Sequence, residues 1–153
     1  MLVAVAVLAS ACSGDKGRRS AQEERIDGSA ATAAADAPLP PEVAVAKDWL
    51  RQRRSRLDRF TAAARATLDD GDCETQADAV RRAVGDFDEW VAEVAASPDR
   101  SLGEALQATA FATRATLAAC VATDRPALSR ERTNLQRALD AVGARRRVLD
   151  QAD

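Results

Sequence analysis

Residues 73–120 read CETQADAVRRAVGDFDEWVAEVAASPDRSLGEALQATAFATRATLAAC. The apolar residues of this stretch recur at intervals of three and four, the period of a helix with one buried face. Ala77, Val80, Val84, Phe87, Val91 and Val94 form one stripe, which predicts a helix from about Cys73 to Ala96. Ser97-Pro98-Asp99-Arg100 supplies a turn. Ser101 and Glu104 then match a capping box, in which two side chains satisfy the free amides of a helix start. The following stripe is Leu102, Leu106, Thr109, Thr113, Leu117 and Cys120. Antiparallel pairing that sets Phe87 against Leu106 and Val91 against Leu102 also sets Val84 against Thr109 and Val80 against Thr113. The same register brings Cys73 level with Cys120, so a bond between them would close the open end of the hairpin.

The pattern continues outward on both sides. Val43, Ala46, Leu50, Leu57, Phe60 and Ala64 form a stripe, widened by Trp49, on a helix from about Pro41 to Leu68. Prolines suit its first turn, where amide hydrogens have no helical partner. Asp69-Asp70-Gly71-Asp72 ends it, and Asp72 can cap the next helix. A last helix begins near Asp124 to Pro126 and carries Leu128, Leu135, Leu139, Val142 and Leu149. No strand-like alternation is sustained. The expected fold is all-α: an antiparallel up-down-up-down four-helix bundle over residues 42–153. A three-helix bundle with a loose first helix is the structural alternative.

Composition narrows the function. A chain of 153 residues allows one domain with a modest core. Its net charge of −2 gives no reason to expect a nucleic-acid partner. Histidine is absent, which removes the commonest general base and transition-metal ligand. All 22 basic residues except Lys16 and Lys47 are arginine, and alanine is abundant. That bias suggests a GC-rich genome and lowers the weight of any arginine cluster. No nucleophile elbow, phosphate-binding loop or dinucleotide fingerprint is present. Di-iron bundles with Glu-x-x-His pairs and haem bundles both require histidine. No metal or other cofactor and no enzymatic activity are therefore expected.

Leu2 to Ala11 reads LVAVAVLASA, an uncharged apolar run, and Cys12 follows immediately before a polar stretch. The run is too short to span a bilayer, which takes about 20 residues, but it fits the apolar region of a secretory signal. The segment Leu8-Ala9-Ser10-Ala11-Cys12 resembles the lipobox of bacterial lipoproteins, with Ala9 standing three residues before the cysteine. The resemblance implies removal of residues 1–11 as a signal peptide and lipidation of Cys12. Ser13 after the cysteine implies the outer membrane in a double-membrane bacterium. Residues 12–41 hold almost nothing large and apolar beyond Ile26 and Leu39, and read as a disordered linker. Such a tether spans roughly 30 Å.

An extracytoplasmic location is oxidising, which is where a Cys73–Cys120 disulfide persists. No CxxC spacing suggests redox catalysis or zinc instead. Asp86, Asp88 and Glu89 read as a solvated helix face with an Arg82–Asp86 pair rather than as a catalytic set. Arg51, Arg53, Arg54, Arg56 and Arg59, with Arg145, Arg146 and Arg147, could meet anionic head groups or an acidic partner. Arg54–Asp58 and Arg146–Asp150 offer internal pairing instead. Arg53 and Arg132 fall on apolar stripes, where snorkelling to the edge is the default and a ligand pocket the functional reading. The sequence thus points to a non-enzymatic, lipid-anchored cell-envelope protein. It would be held to the outer membrane, or to the outer face of the plasma membrane, by a lipid on Cys12 and face the periplasm or exterior. It would act as a helical interaction or structural module with an envelope protein partner. The alternative is a small-ligand binder or sensor using the bundle interior at Arg53 and Arg132.

Overall fold

The computed structural model describes residues 41–152. The expected signal peptide over 1–11, the expected lipidation of Cys12 and the expected linker over 12–41, apart from its last residue Pro41, lie outside the described residues. Among the described residues the fold is all-helical, with no strand. Its elements are α1 (Pro41–Ala66), α2 (Cys73–Val84), α3 (Phe87–Ala95), α4 (Arg100–Val121) and α5 (Arg125–Gln151).

The expected single helix over Cys73–Ala96 is two. Gly85 takes φ +71°, a backbone conformation that favours glycine, and ends α2 with its amide donating to the Arg81 carbonyl. Asp86 then caps α3: its side chain accepts from the Glu89 amide at 2.9 Å. Asp86 is therefore a cap and not the i,i+4 partner of Arg82. The break shifts the register beyond it. Cys73 still meets Cys120, but the ring of Phe87 stacks edge-on against Phe111 at 6.3 Å, five residues beyond Leu106. Trp90, absent from the predicted stripe, is fully buried on α3 and packs against Phe60 of α1 at 5.1 Å.

Aspartates start every helix after the first. Asp72 accepts from the Thr75 amide at 2.7 Å, and Asp124 accepts from Ala127 at 3.0 Å. The cap of α4 is Asp99, which accepts from Leu102 at 2.7 Å, and not Ser101. Glu104 bonds Arg100 instead of closing a capping box. A carboxylate two residues upstream outcompetes the serine because it also meets Arg145 of α5. Helix α4 ends in a Schellman turn, with the Asp124 amide reaching the Ala119 carbonyl and Thr123 at φ 56°.

One apolar core joins all five helices, built on Leu57, Phe60, Val84, Trp90, Leu102, Leu106, Leu135 and Leu139. Thr109, Thr113 and Thr116 are buried on α4, and each hydroxyl donates to the carbonyl four residues earlier. Local back-bonding is what admits these hydroxyls to an apolar stripe. Gly103 lets α4 approach the end of α3: a Cβ there would stand 3.0 Å from the Val94 carbonyl oxygen. Helices α1 and α5 contact each other in opposite order. Lys47 donates to the Ala152 carbonyl, Arg146 pairs with Asp58, and Arg132 meets Thr67 and Asp70.

Candidate functional site

The sulfurs of Cys73 and Cys120 stand at disulfide-bonding distance, with Cα atoms 5.9 Å apart. Cys73 is the first residue of α2 and Cys120 lies in the last turn of α4. The link ties the beginning of one helix to the end of another, across a sequence separation of 47.

The two arginines singled out on apolar stripes serve separate sites, roughly 20 Å apart along α1. Arg53 donates from Nε to Glu93 of α3 at 2.9 Å and lies 4.9 Å over the Trp49 ring. Arg56 bonds the other oxygen of Glu93, lies over Trp90 and donates to the Val84 carbonyl at the end of α2. One glutamate thus gathers two guanidiniums, and the second of them also satisfies a carbonyl freed by the helix break. Arg132 acts at the other end of α1. It donates to the Thr67 and Asp69 carbonyls at 3.3 and 2.7 Å and pairs with Asp70 at 2.7 Å. Both residues close the α1 surface against its neighbours.

Arg132 also lines an open surface groove of about 990 Å³ along α5, with Asp70, Arg125, Leu128, Ser129, Thr133, Gln136, Arg137 and Asp140. The groove mixes arginines with carboxylates, and Arg132 enters it already bonded. The basic stretches are likewise partnered in part. Arg54 pairs with Asp58 at 3.9 Å, whereas Arg146 pairs with Asp58 and not with Asp150. Arg145 grips the capping carboxylate Asp99, with Nε 3.0 Å from both oxygens. The Arg145 bond and the Leu102 amide hold the Asp99 carboxyl below the usual carboxylate value, against the opposing effect of burial.

Among the described residues, no group of three or more Cys, Asp or Glu is placed to hold a metal ion. No helix among them is long and apolar enough to cross a membrane. The indole Nε1 of Trp90 on α3 and the hydroxyl of Ser97, just past the end of α3, are buried without a hydrogen-bond partner.

The outer face of α4 is the surface that sequence reading missed. Glu104, Ala108, Phe111, Ala118 and Ala122 are exposed at alternating spacings of four and three, and Ala115 of the same row is half-buried. Phe111 is 54% exposed and Val121 68% exposed. Between Glu104 and Asp124 the helix carries one charged residue, Arg114, whose guanidinium lies 5.3 Å over Phe87. The signal was available: a second row of apolar residues on the side opposite the core stripe, in a stretch nearly free of charge.

No family model, curated protein or solved structure matches this chain.

Proposed function

We propose that the chain is a non-enzymatic, lipid-anchored protein of the cell envelope whose helical domain is an interaction module. In this reading the domain is an up-down-up-down four-helix bundle. Its members are α1, the broken pair α2–α3, α4 and α5. The apolar run ending at Cys12 supports export and lipidation of that cysteine. The Cys73–Cys120 pairing supports an oxidising compartment.

The observation that carries the interaction reading is the exposed Phe111 at the centre of a weakly charged α4 face. The chain has only three phenylalanines and two tryptophans. Leaving one of them half in water forgoes burial in a core that is otherwise short of aromatic volume. Contiguous exposed apolar surface of this kind marks interaction sites. The ligand-binding alternative has less support, because Arg53 and Arg132 are both engaged by protein groups and lie far apart.

A photo-cross-linking residue placed at Phe111 in intact cells tests this reading. It should yield a discrete protein adduct, and the same residue at exposed Arg82 on α2 should not. Equal labelling at both positions, or none at Phe111, contradicts an interaction surface on α4.

A further inference from the structure

We infer that the partner of the α4 face is a second copy of this chain, paired antiparallel through α4 about a two-fold axis near Ala108–Phe111. The inference rests on the reading of α4 as an interaction face and names its occupant. A self-pairing surface must be complementary to itself when turned by half a revolution, with residue i meeting j and j meeting i. Three features of α4 meet that condition.

The first is spacing. Glu104, Ala108, Phe111, Ala115, Ala118 and Ala122 follow each other at four, three, four, three and four residues. This is the repeat that keeps one seam of a helix facing another helix. The core side of α4 is already filled by its own chain, so the outer seam is a second and independent one. The second feature is shape. With the axis near Ala108–Phe111, the Phe111 ring of each copy stands over Ala108 of the other. A large side chain then meets a small one twice, as knobs-into-holes packing requires.

The third feature is charge, and it selects the second copy over an unrelated partner. Of the three charged residues of α4, Arg100 opens the helix and is bonded to Glu104, and nearer the axis stand Glu104 and Arg114, opposite in sign. They lie almost equally far on either side of the axis. Antiparallel pairing therefore brings Glu104 of each copy level with Arg114 of the other. Parallel pairing would instead align each charge with its like. The side chain of Glu104 is 61% exposed and bonded only to Arg100, which is itself almost fully exposed. Arg114 lies at the rim, stacked on Phe87. Both can reach across the seam without leaving the fold.

The test uses the full chain with Cys12→Ser, which removes lipid and stray thiol pairing, followed by light-scattering mass across a dilution series. The expected mass is that of two copies. Glu104→Arg and Arg114→Glu should each weaken pairing by about tenfold, since both copies of the pair turn repulsive. The doubly swapped chain should recover it. Unchanged helical circular dichroism shows that these exposed substitutions leave the fold intact. Ala108→Cys, beside the axis, should link to its mate under oxidation. Ala118→Cys, about 15 Å along the same face, should not. A single-copy mass at every concentration overturns the inference. So does a dimer indifferent to both charge swaps, or equal linking at Ala118. A single-copy chain that still gives a Phe111 adduct with another protein refutes self-pairing but leaves the proposed function standing. Absence of both pairing and adduct removes the two together.

Discussion

Replacing Cys73 and Cys120 together by alanine tests how much of this fold depends on the link between α2 and α4. The two residues are 47 apart in sequence. A link across a loop of that length removes about 4 kcal/mol of conformational freedom from the unfolded chain. The folded state loses little in exchange. The start of α2 keeps the Asp72 cap, and Gln76 still donates to the Ala66 and Asp69 carbonyls at the end of α1. A domain of this size has a total stability of roughly 5–15 kcal/mol, so the loss is a large fraction of it. With a urea slope near 2 kcal/mol per molar, the midpoint should fall by about 2 M. The assay is equilibrium urea unfolding followed by far-ultraviolet circular dichroism, with and without reductant. Reduced wild type should coincide with the double-alanine chain, because both have lost the same constraint. A shift below about 0.5 M, or a wild type indifferent to reductant, would refute the reasoning.

Three further outcomes follow from individual contacts. Arg132→Leu should lower stability by about 1–2 kcal/mol in thermal melts, because the guanidinium satisfies the Thr67 and Asp69 carbonyls at the end of α1. A raised melting temperature would return Arg132 to the status of a misplaced polar residue on an apolar stripe. Thr123→Gly should stabilise by about 1 kcal/mol, since a β-branched residue at φ 56° occupies a position that glycine fills without strain; an unchanged melt counts against that. Asp99 has its carboxyl pKa lowered in the fold, chiefly by the Arg145 hydrogen bond. Its contribution is therefore present above the unfolded carboxylate value, about pH 4, and is lost as pH falls through the lower folded value. Asp99→Asn should flatten the acid side of a stability-versus-pH curve, and an acid limb of unchanged steepness would show that other carboxylates set it.

Much of the fold was legible because its determinants are local. The stripes on α1, α4 and α5 predicted Leu57, Phe60, Leu102, Leu106, Leu135 and Leu139 as core, and all are buried. Asp72 and Asp124 are caps because a carboxylate before a helix start finds free amides wherever the chain goes next. The break at Gly85 was written in equally local terms. Gly85 followed by Asp86, with Glu89 three residues on, is a stop followed by a start. Continuous apolar spacing across it hid that signal. Drawing one stripe through the break displaced the phase beyond it, which is why Trp90 went unassigned and Phe87 met Phe111 rather than Leu106.

The long-range polar contacts were not legible. Nothing near Arg53 points to Glu93, and nothing near Arg145 points to Asp99. Those pairings depend on how helices distant in sequence settle against one another. The cysteine pair was the exception: Cys73, the first residue of α2, meets Cys120 as the predicted register has it, and the break at Gly85 lies at the far end of α2. The candidate face of α4 was missed for a different reason. Its alanines count as apolar in any stripe, so the outer row was overshadowed by the inner one with its leucines.

The proposed function depends on Cys12, because anchoring at that residue would fix the compartment, favour the Cys73–Cys120 link and present the domain beyond a linker. Intact-mass spectrometry of the chain recovered from cell membranes tests it directly. The predicted result is a mature chain that begins at residue 12 and carries acyl mass on Cys12, with a Cys12→Ser chain left unacylated. A chain that retains residues 1–11, or one with an unmodified Cys12, would contradict the account.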